Sequence, residues 1–324
     1  MIARFWKGAT ALSWLACAAG LALGGASHAA RADHTQSLCQ RELVVLGAGQ
    51  DAGAPQIGHA GDAGPRLLPS SLALIDREDG TRYLFDATPA ITEQLAMLDR
   101  IAPPRDGGLG VDGVFLTHAH IGHYLGIAWF GREAAGAKGV PVHALPRMAA
   151  FLQDNGPWSQ LVGLSNIVIH PLDPGALAPV SDTFGVWSLA VPHRDEYSET
   201  AAFIIVTPGK TALYVPDIDS WDIFEAESGE TLEDQLAAVD HAFIDATFWD
   251  DGELPGRDMR EIPHPRVRQV MDRLGALPAE VRAKVSFIHY NHTNPIRDPD
   301  SPQSLEVAAR GFHVARRGDR VCMD

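Results

Sequence analysis

The sequence predicts an α/β sandwich, and two patterns carry that prediction. Short apolar stretches typical of strands alternate with amphipathic stretches typical of helices along most of the chain. A polar motif directly follows several of the predicted strands, which is where α/β folds place their functional groups. No internal repeat and no linker interrupts these patterns, so we predict one domain over residues 33–324.

The first half of the chain alternates short strands with helices. The predicted strands are apolar runs bounded by turn residues, and they span 42–47, 71–76, 82–86, 114–117 and 140–144. The predicted helices span 89–101, 124–136 and 146–153, the last with Pro at its first position. Residues 48–69 are rich in Gly, Ala and Pro and predict a functional loop, and we expect 156–164 to cover part of a cleft.

The second half repeats this alternation and ends in two short strands. We predict strands over 188–191, 201–207, 211–215, 242–245 and 285–290. We predict helices over 231–238, 265–274 and 302–310, the first with Thr231 as its N-cap. The last two strands, 312–315 and 320–323, are predicted to pair with each other as a hairpin.

Residues 1–32 have the composition of a secretory signal peptide. Arg4 and Lys7 form a basic start and residues 9–25 are apolar. Residues 27–29 (Ser-His-Ala) and 30–32 (Ala-Arg-Ala) are two candidate cleavage sites with small residues. An uncleaved anchor is the alternative, although the apolar run is somewhat short for a membrane span. We therefore expect the mature protein to be periplasmic or secreted.

The formal net charge of −15 argues against nucleic acid and anionic membranes as partners. Removal of residues 1–32 takes away basic residues and no acidic one, so the mature chain is more acidic still. We expect a small-molecule substrate, no nucleic acid and, after signal cleavage, no membrane. The sequence leaves the oligomeric state undetermined.

Two cysteines remain after that cleavage, one before the first predicted strand and one in the last. In an oxidising compartment, Cys39 and Cys322 can form a disulfide that joins the two ends of the domain. Two unpaired thiols are the alternative.

Three histidines follow the predicted strand 114–117 in the stretch VFLTHAHIGHYLG. In an extended backbone, residues i and i+2 point to the same side, so His118 and His120 project together. A tight turn then brings His123 to the same place. Converging imidazoles are typical zinc ligands, and three unrelated histidines are the alternative.

This stretch resembles the HxHxDH motif of the metallo-β-lactamase superfamily. Gly122 stands where that motif has Asp, a residue that in the superfamily usually binds a second metal and handles protons. Glycine can do neither. The resemblance implies a metallo-β-lactamase-type αββα sandwich with one or two Zn²⁺ ions, and iron or manganese stay open as alternatives.

The same resemblance implies the other metal ligands, because polar residues follow later strands in the superfamily's order. These residues are His193, Asp217 and His289. In the implied arrangement, Asp217 is shared between two sites whose other ligands are His118, His120 and His193 for the first, and His123 and His289 for the second. Taken singly, each residue has an ordinary alternative as a loop, turn or core residue.

The mature chain as a whole resembles one branch of the superfamily, the B proteins of pyrroloquinoline quinone (PQQ) biosynthesis and their relatives. The segments that carry this resemblance span 46–59, 70–95 and 289–302. That branch has cysteines in its first loop that suit a structural zinc, whereas the matching loop here has His59 and no cysteine. We therefore expect no structural zinc, and an exported relative rather than the biosynthetic protein itself.

The resemblance implies a hydrolase in which metal-bound hydroxide attacks an ester, lactone, amide or phosphoester. Asp217 would bridge the metals and orient the nucleophile. Because Gly122 cannot transfer a proton, the candidate general acids are Asp245, His292 and Asp195. Asp245 lies in IDATF, which resembles the HEATF motif of the tRNA-processing branch, where Glu relays protons; a turn-capping Asp is the alternative.

Two other functions stay open. A relative of the PQQ branch would use iron and dioxygen to oxidise a small aromatic or amino-acid-derived substrate, since His and carboxylate ligands with open positions also suit iron. A secreted binding protein without catalysis is the other alternative. The loop 249–265 carries charges of both signs, including Glu253 and His264, and is either a substrate-binding lid or a solvated loop.

Overall fold

The computed structural model describes residues 39–59, 61–105 and 108–324. The signal peptide predicted for residues 1–32 lies outside the described residues and stays a prediction. The strands form two seven-stranded sheets. In chain order they are β1 (Arg41–Gly47), β2 (Ser71–Asp76), β3 (Thr81–Phe85), β4 (Gly113–Phe115), β5 (Val140–Ala144), β6 (Ile167–Pro171), β7 (Leu177–Pro179), β8 (Gly185–Val191), β9 (Thr200–Val206), β10 (Thr211–Val215), β11 (His241–Asp245), β12 (Val285–Ile288), β13 (His313–Val314) and β14 (Arg320–Cys322).

Helices connect many of these strands. In chain order the α-helices are α1 (Ile91–Ile101), α2 (Ile121–Tyr124), α3 (Pro146–Asp154), α4 (Trp158–Gly163), α5 (Trp221–Ser228), α6 (Leu232–Ala238), α7 (Val267–Leu274), α8 (Ala279–Arg282) and α9 (Pro302–Ala309). Short 3₁₀ helices span Leu125–Phe130, Met259–Glu261 and Pro295–Arg297.

Parallel strands lie next to one another in both sheets. The first sheet has the order β14-β1-β2-β3-β4-β5-β6 and the second the order β13-β12-β11-β10-β9-β8-β7. Strands β3 to β6 are parallel, as are β10 to β13, and the remaining neighbours are antiparallel. Because carboxyl ends of parallel strands meet at one edge, each sheet gathers the residues that follow its strands.

The two sheets pack face to face, with helices against them. Alternation along β1 places Leu43 and Val45 in the core between the sheets, and Val44 and Leu46 in a second core with α1, α3 and α4. Phe85 of the first sheet lies 6.0 Å, ring centroid to centroid, from Phe203 of the second. Helices α5, α6 and α7 pack against the second sheet. This is the predicted αββα sandwich.

The structure contradicts the predicted terminal hairpin. Strand β13 pairs with β12 in the second sheet, whereas β14 pairs with β1 in the first. The backbone of Ala315 still bonds to Phe287, and Gly318 already bonds to Val45. Gly318 has a positive φ of 96°, so a turn does form here. This turn carries the chain from one sheet to the other instead of joining two neighbouring strands.

Several elements differ from the prediction in kind or extent. The predicted helix over 124–136 consists of α2 and a 3₁₀ helix that ends at Phe130, where Gly131 is extended. Strands β6 and β7 and helices α4, α5 and α8 were not predicted. Strands β6 and β7 are short and have exposed residues that weaken the apolar signal of a strand.

A disulfide joins Cys39 to Cys322, with their Cα atoms 5.6 Å apart. This confirms the predicted pairing. The disulfide lies next to the pair of strands β1 and β14, in which Glu42 is opposite Cys322. Among the residues with described positions, no helix combines the length and apolar character that crossing a membrane requires.

Candidate metal centre

Two histidines of the sequence motif face a third from a distant loop. His118 and His120 follow β4, and their nearest ring nitrogens, Nε2 and Nδ1, are 2.9 Å apart. His193 follows β8, and its Nε2 lies 3.1 Å from the same Nδ1 of His120. Asp217, after β10, completes this group: its Oδ2 is 3.4 Å from His118 Nε2 and 3.2 Å from His193 Nε2. His118, His193 and Asp217 are buried.

The same carboxylate oxygen also faces a second group. His123, in α2, places Nε2 3.7 Å from Asp217 Oδ2, and His289, after β12, places Nε2 3.8 Å from it. Both imidazoles are buried. Asp217 therefore lies between two groups of ligand atoms, as the sequence resemblance implies. Both groups are compact enough to hold a metal ion.

Carboxylates behind the imidazoles fix which ring nitrogen faces inward. Asp86 Oδ2 accepts a hydrogen bond from His123 Nδ1 at 2.8 Å, and Asp219 Oδ1 accepts one from His193 Nδ1 at 2.7 Å. An ionised carboxylate can only accept, so the hydrogen lies on the outer nitrogen. When the ring is neutral, its inner nitrogen then carries the lone pair that a metal ligand requires.

The other two motif histidines are held in the same way. Glu196 lies 3.1 Å from His120 Nε2 and accepts its hydrogen. Thr117 Oγ1 donates to Asp86 and therefore accepts from His118 Nδ1, which is 3.0 Å away. With both outer nitrogens protonated, the inner nitrogens of His118 and His120 present two lone pairs to each other, an arrangement that a cation between them would stabilise.

Two buried atoms in the centre lack hydrogen bonds within the described part of the chain. They are Asp217 Oδ1 and His289 Nε2. Leaving a buried polar atom unpaired costs about 1–3 kcal/mol, and more for a charged group. Unpaired acceptors and converging lone pairs are what a divalent cation satisfies, so the residues present fit a metal ion.

His264, from the loop 249–265, and Asp245, at the end of β11, form a third group with Asp217. His264 Nδ1 lies 3.2 Å from Asp217 Oδ1 and 2.9 Å from Asp245 Oδ2. Asp245 also accepts the backbone N–H groups of Ile218 and Thr247. Because these backbone groups already bind the Asp245 carboxylate, Asp245 and His264 resemble a buried ion pair more than a further metal site.

Charges in the centre shift several pKa values. Burial lowers the pKa of His118 well below its usual 6.5. Burial opposes protonation of His193 and His264 as well, but Asp217 raises the pKa of His193 to about 9, and Asp245 with Asp217 raises that of His264 to about 10. Burial would raise the pKa of Asp217, but the surrounding imidazoles hold it well below 3.8. Asp217 is therefore ionised, as a bridging ligand must be.

Backbone with positive φ occurs at several of these residues. Asp86, His264 and His289 have φ values of 65°, 92° and 64°, which are uncommon outside glycine, although Asp and His adopt them more often than most residues do. Such conformations persist where surrounding contacts enforce them, and they cluster at functional sites.

Two of the residues predicted as candidate general acids are not among the possible metal ligands of the described residues. His292 belongs to none of the groups of possible metal ligands in the described chain. Its ring is 5.0 Å from that of His59, and its Nδ1 is 2.8 Å from Asn291 Oδ1. Asp195, another candidate acid, forms an ion pair with Arg147 at the surface.

Sequence reasoning missed three residues as members of the site, Asp86, Glu196 and His264. Asp86 directly follows β3, and this position at the end of a strand was the only sequence signal that it belongs to the site. Glu196 sits in the loop with His193. His264 was noticed only as part of a charged loop that was interpreted as either a substrate-binding lid or a solvated loop.

Comparison with known proteins identifies the family. Residues 81–290, more than half of the chain, match the β-lactamase superfamily domain. The coenzyme PQQ synthesis protein B of Ruegeria pomeroyi is 26% identical over 310 residues, covering 87% of this chain and 100% of that protein.

Two solved structures share the fold. A Zn²⁺-bound PqqB from Methylobacterium extorquens superposes with a TM-score of 0.71 at 20% identity, covering 86% of this chain and 99% of the other. A diphosphatase of the PhnP family gives a TM-score of 0.60 at 20% identity, covering 87% and 96%. The family match, the fold and the clustered histidines lead to one conclusion: the chain belongs to the metallo-β-lactamase superfamily and is PqqB-like in sequence.

Proposed function

We propose that the protein is a metal-dependent hydrolase with one or two metal ions at this centre. The observation that supports this most is the position of Asp217 Oδ2, which lies within 3.8 Å of an inner nitrogen on each of four imidazoles. A carboxylate shared between two ligand groups suits a bridging role, and hydrolases use such centres to hold the nucleophile and the leaving oxygen.

The two groups of metal ligands differ in the number of residues that they contain. The first would be formed by His118, His120, His193 and Asp217, and the second by Asp217, His123 and His289. Bound zinc lowers the pKa of its water to about 7 and so supplies hydroxide at neutral pH. We favour Zn²⁺ because imidazole and carboxylate suit it, and the structurally similar PqqB is Zn²⁺-bound.

We assign proton delivery to His264, with Asp245 as the residue that positions it. Asp245 is fully buried and fixed by the backbone N–H groups of Ile218 and Thr247, so its carboxylate cannot swing toward a substrate. Its contact with His264 Nδ1 orients that ring beside Asp217. In this scheme Asp245, proposed from the sequence as a general acid, acts through His264, and His292 takes no part in proton transfer.

Oxidation of a small molecule with iron and dioxygen is the second candidate. One observation favours it: the 26%-identical relative from Ruegeria pomeroyi is named for the synthesis of a quinone cofactor. Histidine and carboxylate ligands with open positions also suit non-haem iron. Metal identity separates the two candidates.

The test begins with metal content by mass spectrometry, on protein purified without chelators or a His-tag. We expect zinc in the wild type, and hydrolysis in a panel of esters, lactones and phosphodiesters. His118→Ala and Asp217→Ala should lose both the metal and the hydrolysis. His313→Ala is the matched control, because His313 is exposed in β13.

Some results would overturn the hydrolase. Hydrolysis that survives removal of the metal would contradict it directly. Iron in place of zinc, together with oxygen consumption, would move the assignment to the second candidate.

We also propose that the mature protein is exported. The disulfide between Cys39 and Cys322 supports this, since such bonds persist in oxidising compartments. The mature amino terminus, read by mass spectrometry from periplasmic and cytosolic fractions, tests the proposal: a start near residue 33 in the periplasm supports it, and an intact cytosolic chain contradicts it.

A further inference from the structure

The candidate metal centre meets solvent at His120. Among the candidate ligands, His120 has the most exposed side chain: 21% of it is accessible, compared with 5% or less for each of the others. The reacting bond of a substrate lies at the metal centre, so the rest of the substrate must extend past His120. The residues that flank His120 are therefore the ones that contact this remaining part.

Two exposed apolar side chains follow His120 in the chain. Ile121, the next residue, is 57% exposed, and Leu125 is 36% exposed. The backbone of Leu125 still has helical angles, with φ −57° and ψ −31°, so the spacing of α2 continues to this residue. Residues four apart on a helix are neighbours on one face. Ile121 and Leu125 therefore form a short apolar ridge that begins beside His120.

A third exposed apolar side chain, Tyr197, belongs to the loop after β8. It directly follows Glu196, whose carboxylate accepts a hydrogen bond from His120 Nε2 at 3.1 Å. Tyr197 is 65% exposed. Its ring centroid lies 5.6 Å from that of Phe151 in α3, a distance typical of aromatic pairs. This contact holds an otherwise exposed ring close to the open ligand.

Aromatic contacts connect Tyr197 with the ridge on α2. The ring of Phe151 also lies 5.4 Å, centroid to centroid, from the ring of Tyr124. Tyr124 directly precedes Leu125 and is three residues after Ile121, so it neighbours both on the helix. The four residues are thus contiguous through Tyr124. We call them the apolar shelf: Ile121, Leu125, Phe151 and Tyr197.

Exposed apolar side chains are ordinary when they are scattered singly. Contiguous ones with polar residues at their rim mark binding surfaces. The apolar shelf has this second arrangement, because Glu196 and Arg194 are exposed beside Tyr197. Its position next to the open ligand identifies the molecule that would cover it as the one bound at the metal centre.

We propose that the apolar shelf binds an apolar arm of the substrate, an aliphatic chain or an aromatic ring attached to the ester, lactone, amide or phosphoester group. The arm passes His120 and packs on Ile121, Leu125 and Tyr197, which removes apolar surface of both partners from water. This inference rests on the proposed function and deepens it, because it names the class of substrate.

The experiment observes the ring of Tyr197 while carboxylates bind. The mature protein, with its metal content measured, is labelled with 3-fluorotyrosine, and Tyr197→Phe identifies the ¹⁹F signal among those of the five tyrosines. Acetate, hexanoate and phenylacetate are titrated as probes, since they share the carboxylate and differ in the arm. We expect saturable shifts of the Tyr197 signal with hexanoate and phenylacetate, and none with acetate. The tighter of the two identifies the preferred arm.

Tyr197→Ala is the test variant, and calorimetry measures the dissociation constants. It should weaken binding of the preferred armed carboxylate about two- to tenfold, as loss of one aromatic contact does, and leave acetate binding unchanged. Tyr197→Phe should keep the affinity of the wild type. Leu305→Ala is the matched control, because Leu305 is 61% exposed in α9. A purely structural role of Tyr197 would weaken acetate as much as the armed carboxylates.

Three outcomes would overturn the proposal. The first is a Tyr197 signal that ignores both armed carboxylates, and the second is equal affinity for all three probes. The third is a Tyr197 signal that changes with protein concentration and not with the probes, which would mean that the shelf joins two copies of this chain. Failure of the hydrolase assignment looks different, since the armed carboxylates would then bind at the shelf while the metal-loaded protein hydrolyses none of the corresponding esters.

Discussion

A Cβ atom at Gly122 would lie 2.6 Å from the carbonyl oxygen of Asp51. Real Cβ contacts are not this short, and the obstacle is backbone that cannot rotate away. Gly122 is the position at which the superfamily motif has Asp. In this protein the loop after β1 occupies the space of that side chain, so the missing carboxylate is part of a different local packing and not an isolated substitution.

Gly122→Asp should therefore fail to create a further metal ligand. We expect a loss of about 1–3 kcal/mol in the free energy of unfolding, the usual cost of overpacking, with no gain in metal per chain. Urea unfolding and metal analysis measure the two effects. Gly163→Asp is the control, because its Cβ would meet nothing within 4 Å. Increased metal content with unchanged stability would refute this account of the loop.

The carboxylates behind the imidazoles give a prediction about metal affinity. Asp86→Asn and Asp219→Asn each keep the side-chain shape but weaken the acceptor that orients His123 or His193. Loss of such a partner typically lowers metal affinity 10- to 100-fold. Competition with a chromophoric chelator measures it.

These two variants should also differ from each other. Asp219→Asn acts on the group that contains His193. Asp86→Asn acts directly on His123 and, through Thr117, also on His118 of the other group, so with two bound ions it should weaken both binding steps, whereas Asp219→Asn should weaken one. Asp154→Asn, at the end of α3, provides the baseline. Equal affinity in all three variants would show that the outer carboxylates do not orient the ligands.

The sequence predicted those parts of the fold and site that depend on local pattern. Strands β5 and β10 match their predicted limits because each is a short apolar run with clear ends. His118 and His120 were found because strand geometry alone brings i and i+2 together.

No local sequence pattern predicts contacts between segments that are far apart in the chain. Asp86 and His123 are 37 residues apart, and His120 and Glu196 are 76 apart, so their hydrogen bonds depend on which strands become neighbours. His264 was seen as one charge among many in its loop. The terminal hairpin failed for the same reason, since a turn sequence does not say which sheet each of its arms will join.

The disulfide between Cys39 and Cys322 should contribute measurably to stability. It closes a loop of 283 residues, and restricting the unfolded chain in this way typically stabilises a protein by about 2–4 kcal/mol. The double variant Cys39→Ser with Cys322→Ser should lose this amount in urea unfolding. Reduced wild-type protein should match the variant, and a variant as stable as the oxidised wild type would show that the bond adds nothing.

Glu253 should make stability fall as pH rises. Burial raises the pKa of this carboxyl to about 7 from 4.5, even though Thr293 and the backbone N–H of Trp249 donate hydrogen bonds to it. A folded-state pKa above the unfolded value means that the folded protein holds the proton more tightly. The stabilisation is complete below pH 4.5 and is lost as pH rises to about 7.

Glu253→Gln removes this titration while keeping groups that can bond to Thr293 and Trp249. Between pH 4.5 and pH 8 the wild type should therefore lose on the order of 1–3 kcal/mol more unfolding free energy than the variant. Urea unfolding across that range measures the difference. Glu227→Gln, an exposed position in α5, should follow the wild type. Parallel pH curves for wild type and Glu253→Gln would mean that Glu253 titrates alike in the folded and unfolded chain.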